Sequence, residues 1–353
     1  MDERATGGIP SPTDYRDLLA ARTVFDELVA AAPTLPESFK TEIDNLGEVL
    51  DQNKINACVS HAWVLVMKYW WWKKTGELVD FSPRFLDILS SETWIPVDGG
   101  RVPRTVCKMS ALYGCCTTKL LPNDTAGLTH AQYRNKNVLT QEMYLEAKKY
   151  RIPGYVRVPD DRESDFRTAV YQFGLVSGLF GISDAFWKPS WSAKDILPLK
   201  PKDSSSNHQM VVRGWSGVLN TLRNSWSKLW ADKGDGTYNA KSWLPLIYEG
   251  WTIATLPADI KAWLSSLPPQ KDFAYQWQKN LSRGDYNDDV KFAQVALMIL
   301  GMMEPVLPED LGHYGPKTSK AVLKYQSARR IFPTAPDNIG PKTRAALNKD
   351  FAV

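Results

Sequence analysis

Cysteine is scarce in this chain: 353 residues hold four, Cys58, Cys107, Cys115 and Cys116. That is too few for a disulfide scaffold, and no Cys-x-x-Cys pair offers a zinc site. Cys107 pairs with one of the adjacent thiols in an oxidising compartment, or all three are buried free thiols; the sequence leaves both open. No apolar run reaches the ~18 residues of a membrane span, so no such span is expected. Residues 1–10 lack a basic region followed by an apolar stretch, so no secretory signal peptide is visible. Charge of one sign is also missing. The net charge is +4 with no Lys/Arg block, which argues against a nucleic-acid partner. The four histidines, His61, His130, His208 and His313, do not fall at metal-ligand spacing, and neither metal nor cofactor is expected.

What is present is an ordinary globular composition, 43% hydrophobic and 23% charged, long enough for a sizeable domain and a small one. Residues 13–31 read as an amphipathic helix, with Leu18, Leu19, Val24, Leu28 and Val29 at helical spacing. Pro33 and Pro36 then open a new unit. An apolar helix over Val59–Trp72 precedes strand-like runs at Gly154–Val158, Gly174–Ile182, Gln209–Trp215 and Val218–Arg223. Helices early and strands late point to an α+β fold rather than alternating βαβ units. The domains are expected at 1–32 (helical extension), 33–256 (main domain), 257–280 (linker with a Pro-Pro break) and 281–353 (small helical domain).

The last segment carries a near-repeat: Gly315-Pro-Lys-Thr recurs 25 residues later as Gly340-Pro-Lys-Thr, each opening an Ala/Leu-rich turn. Glycine followed by proline at the first helical position marks a helix start. Asp288-Asp289 marks a third, since the positive end of a helix dipole favours acids.

Cys58 opens the apolar helix. A thiol at a helix N-terminus has its thiolate favoured by unpaired N–H groups and the dipole, so a lowered pKa is expected. His208 heads one strand-like run, and Asn224 follows the next, sixteen residues on. A β-hairpin brings the two side by side, where an Asn can fix the tautomer and rotation of an imidazole that serves a thiol.

These residues resemble the papain-like cysteine peptidase family. Gln52, six residues before Cys58, matches the family's oxyanion glutamine, and the His208–Asn224 spacing and the Asn224-Ser-Trp226 run match as well. The resemblance spans about 35–255 and implies a two-lobed fold, a helical lobe beside a β-rich one. It implies Cys58, His208, Asn224 and Gln52 as catalytic groups. Trp226 would shield the His–Asn bond, and Gly99-Gly100 would pair with an extended peptide or protein substrate. Departures are Asn56-Ala-Cys-Val where Gly-Ser-Cys-Trp is usual, which alters the groove wall beside Cys58, and Ile55 in place of a disulfide cysteine. A long inhibitory propeptide is lacking, though the helix in 1–31 could occlude the groove. His61, one turn after Cys58, reads as packing.

Residues 281–350 resemble the three-helix peptidoglycan-binding domain family. Together the two resemblances imply a peptidase brought to the bacterial cell wall, extracellular or virion-associated, of phage or bacterial origin. Two other functions fit the same residues: a non-catalytic structural or adhesion protein that keeps the fold, and acyl transfer to an amine, whose practitioners usually carry Asp where Asn224 stands.

Overall fold

The computed structural model describes all residues except 1–4, 13, 18, 22–23, 26–33, 160–162, 184–185, 187–195, 198–206, 240–246, 256–272, 304–305, 307–309 and 352–353. The chain divides into two compact units: Met1–Ser11 with Glu27–Thr255, and Pro12–Asp26 with Leu256–Val353. Most of the helix expected over 13–31 lies outside the described residues, and the described positions 15–17, 19–21 and 24–25 are helical.

In the first unit a short strand β1 (Ser38–Lys40) precedes the long helix α1 (Cys58–Thr75). Lys73 and Lys74 sit in the last turn of α1, where the dipole favours cations. Gly76 ends it in the left-handed conformation, at φ 75°, and donates its N–H to the Trp72 carbonyl. Three helices follow on that side: α2 (Pro83–Leu89), α3 (Pro103–Leu112) and the single turn α4 (His130–Tyr133). Ser82 caps α2 by accepting from the Phe85 N–H, with Pro83 at the first helical position. Thr129 and Gln132 form a reciprocal capping box on α4. Helix α5 (Gln141–Ala147) leads to strand β2 (Tyr155–Val158) and helix α6 (Glu163–Phe173).

The remaining strands are β3 (Val176–Gly181), β4 (Asn207–Ser216), β5 (Leu219–Arg223), β6 (Asp235–Asn239) and β7 (Ile247–Ile253). They form a seven-stranded sheet in the order β2-β7-β3-β4-β5-β6, with β1 also on β4. Every pairing in it is antiparallel. Val59, Trp63, Val66 and Met67 of α1 share one core with Phe85, Leu86 and Val106 and with Val211, Trp251 and Ile253 of the sheet. The apolar surface of α1 is what the sheet covers, and that burial supplies the main driving force of the unit. The four strand-like runs read from the sequence coincide with β2, β3, β4 and β5 to within two residues at each end.

The second unit contains α7 (Asp288–Ile299), α8 (Pro316–Ala328) and α9 (Pro341–Asp350). Asn287 caps α7 by accepting from the Val290 N–H. The near-repeat has a structural cause. Buried Gln294 donates to Thr318 Oγ1 at 2.9 Å, and buried Gln326 donates to Thr343 Oγ1 at 3.0 Å. Each glutamine also bonds the loop ahead of the next helix, through the His313 and Asn338 carbonyls. The Gly-Pro-Lys-Thr motif thus starts a helix and anchors it to its predecessor. Among the described residues no helix is long and apolar enough to cross a membrane.

Candidate active site

Cys58 is the first residue of α1, and its side chain is fully buried. The hairpin β4–β5 pairs Val211 with Arg223, which carries His208 at the start of β4 toward Asn224 just beyond β5. His208 Nε2 lies 2.7 Å from Asn224 Oδ1. Because that oxygen accepts and also takes the Ser225 N–H, Nε2 holds the imidazole proton and Nδ1 presents a lone pair. His208 Nδ1 is buried and has no hydrogen-bond partner among the described residues.

The ring of Trp226 packs on His208 at 4.7 Å between centroids, inclined by 34°. Phe186 stands at 6.2 Å from the imidazole and 5.4 Å from Trp226. Its part was not legible in the sequence, because nothing near it in the chain belongs to a motif. Gln52 is also buried. Its Oε1 accepts from Ser225 Oγ at 2.6 Å, and its Nε2 donates to the Ile55 and Ala5 carbonyls at 3.0 and 2.9 Å.

Ala5 belongs to a strap, residues 5–11, that is bonded to residues 53, 101, 207 and 249. Ala5 N–H donates to the Asn53 carbonyl, Gly7 and Gly8 N–H reach the Asn207 carbonyl, and Ser11 N–H meets Glu249. Arg101 N–H donates to the Gly7 carbonyl at 2.8 Å and Ile9 N–H to the Arg101 carbonyl at 3.0 Å, a parallel pairing. The backbone that residues 7–9 pair with is therefore that of Arg101. Gly100 beside it permits the approach, since a Cβ there would lie 1.9 Å from the Gly7 carbonyl oxygen. The Gly99 carbonyl accepts from Arg134 and the Gly100 carbonyl from Arg101.

Burial reverses the lowered thiol pKa expected from the helix N-terminus. It pushes Cys58 up to about 12, against the backbone N–H groups of Gln209, Val59 and Cys58 itself, which favour the thiolate. Burial also pushes His208 down to about 4, opposed by its bond to Asn224 and reinforced by His61. Burial thus favours the neutral form of each side chain. His61 is buried, with Nδ1 on the Ala57 carbonyl and Nε2 on Asn123, which fits packing. His130 Nε2 accepts the Asn56 N–H. Cys107, Cys115 and Cys116 are buried and not in disulfides. Among the described residues no cluster of His, Cys, Asp or Glu could hold a metal ion.

An antiparallel sheet packed on a helix that begins with cysteine, with a bonded His–Asn pair on adjoining strands, is the papain-like α+β fold. Among solved structures the chain is similar to xylellain, a cysteine protease from Xylella fastidiosa. The two share 20% identity at a TM-score of 0.59, covering 73% of this chain and 99% of that one. It is also similar to the digestive procathepsin L 3 of Tenebrio molitor larval midgut, with 18% identity and a TM-score of 0.51, covering 64% and 72%. No protein-family model and no curated protein sequence matches the chain.

Proposed function

We propose that this protein is a cysteine peptidase whose catalytic set is Cys58, His208 and Asn224, with Gln52 in the oxyanion hole. The observation that carries the reading is the 2.7 Å His208–Asn224 bond, which leaves Nδ1 as the proton acceptor in the unit where Cys58 opens the central helix. His208 takes the thiol proton through Nδ1, and Sγ attacks the peptide carbonyl carbon. The carbonyl oxygen becomes an oxyanion held by Gln52 Nε2 and the Cys58 N–H. The C–N bond breaks as His208 returns the proton to the leaving amine, and water, deprotonated by His208, releases the acid and restores the thiol. Loss of one oxyanion donor costs ~10²–10³ in rate. The Ala5 carbonyl now occupies the Gln52 amide, so the form described is closed, and turnover requires residues 5–11 to leave.

Residues 281–353 would bring the enzyme to bacterial peptidoglycan, on a bacterial wall or from a virion. The support is their resemblance to wall-binding helical domains and the Gln–Thr anchoring that makes them a compact module. The test compares wild type, Cys58→Ala and a variant opened at the strap, Gly7→Leu, on purified sacculi and on casein. Release of new amines by the first and third but not by Cys58→Ala is expected. Hydrolysis that survives Cys58→Ala, or that is absent from the opened chain, sinks the proposal.

A further inference from the structure

One face of α1 lines a cavity that the peptidase reading does not use. His61, Leu65 and Lys68 fall at positions i, i+4 and i+7, so they share one stripe of the helix roughly 10 Å long. The cavity has a volume of about 490 Å³, inside the ~300–1,000 Å³ range of small-molecule sites. Its walls are largely apolar: Ile43, Leu46 and Val49 from the segment ahead of α1, Leu65 from α1, Phe81, and Val211 from β4. Protein interiors are packed as densely as organic crystals, so apolar walls that face open space forgo contacts that an apolar ligand restores. Cys58, His208 and Gln52 are not among the lining residues.

Among the described residues four charged side chains line this cavity, and one of them is open to a ligand. Arg223 is committed, with Nε on Asp235 Oδ1 at 2.6 Å and Nη2 on Asp44 Oδ1 at 3.1 Å. Glu48 and Asp80 keep 83% and 73% of their side chains exposed, so both carboxylates belong to the rim. Lys68 differs: only 14% of its side chain is exposed, and its ammonium is paired with the exposed Asp80. An ion pair whose carboxylate stands in water is weak, so a carboxylate arriving in the cavity can take the place that Asp80 holds. A cationic head group there would meet the ammonium, and a neutral one would leave the pair as it is.

We propose that this cavity is a binding site for an amphipathic carboxylate, in its simplest form a medium-chain fatty acid. The apolar body lies along the α1 stripe, and the head group sits on Lys68 in place of Asp80. The site is separate from the cysteine–histidine pair and does not rest on the peptidase reading. A stripe of roughly 10 Å suits octanoate or decanoate better than a long-chain acid.

The test titrates the full chain at neutral pH with decanoate, decanol and decylamine by isothermal calorimetry, below the concentrations at which they form micelles. One decanoate per chain is expected, with decanol at least tenfold weaker and no binding of decylamine. Lys68→Met should weaken decanoate at least tenfold and leave decanol within twofold, while Leu65→Trp, which fills the cavity, should abolish both. Asp80→Asn should tighten decanoate threefold or more, because it removes the competing carboxylate; a merely structural role for the Lys68–Asp80 pair would weaken binding instead. Circular dichroism checks that each variant keeps the wild-type fold, and where one does not, Asp80→Asn at its exposed position decides. No binding of decanoate to the wild type, decylamine as tight as decanoate, a Lys68→Met affinity within twofold of wild type, or an Asp80→Asn affinity no tighter than wild type overturns the proposal. Decanoate binding unchanged by Leu65→Trp places the ligand elsewhere on the chain and overturns it as well.

Discussion

Cys58 and His208 gain their properties here from exclusion of water more than from neighbouring charge. The backbone N–H groups around Cys58 act in the direction read from its place at a helix start, but desolvation outweighs them and the thiol stays protonated. His208 and His61 are both pushed down to about 4 by burial. The unfolded chain therefore binds two protons between pH 6.5 and about 4 that the folded chain refuses. Stability falls as pH drops through that window and is unaffected by these groups above it. Each imidazole contributes a slope of up to about 1.4 kcal/mol per pH unit. Urea unfolding at pH 7, 6, 5 and 4.5 should show the decline, with a shallower slope in His61→Asn; a flat profile would contradict the buried neutral imidazoles. The spacing of His208 and Asn224 in the sequence was enough to read the hairpin that joins them, and Cys58 and Gln52 stood out in the sequence by their spacing alone. Asn56 was visible in the sequence as a departure beside Cys58, while its bonds to Asp98, His130 and Arg134 needed the fold to appear.

At the scale of elements, α1 and the β4–β5 hairpin were legible from an apolar helix-length run and two adjoining strand-like runs. The strap was not. Residues 5–11 carry Gly-Gly and Pro and no periodicity, and their structure rests on partners at 52, 53, 101, 104, 207 and 249. The ion-pair brace around Arg101 was equally hidden. Asp87 on α2 is fully buried, with Arg101 and Arg134 each 2% exposed against it at 3.1 and 2.7 Å. Two guanidiniums left without their carboxylate in a dry site cost far more than the pairing itself contributes. Asp87→Ala should lower stability by ~3–5 kcal/mol, read from urea midpoints. A loss below 1 kcal/mol would mean that carbonyls alone satisfy both arginines. The tail's near-repeat was legible as helix starts, while the Gln294–Thr318 and Gln326–Thr343 anchors needed the packed helices to appear.

The whole molecule is two compact units threaded by one chain, since Pro12–Asp26 belongs with the C-terminal unit while the segments on either side of it belong to the first. Such a chain is not expected to melt in one all-or-none step. Scanning calorimetry should give either two resolved transitions or a calorimetric enthalpy larger than the van't Hoff value, and equality of the two in a single peak would show full coupling. The burial of Cys58 also bears on chemical durability. Peroxide attacks the thiolate of a cysteine that water can reach, climbing from sulfenic to irreversible sulfonic acid. Cys58 is fully buried and its thiol is pushed up to about 12, so it has neither the charge nor the access. Burial therefore keeps this sulfur unspent through oxidising conditions, and only molecules in which it becomes reachable are exposed to that damage.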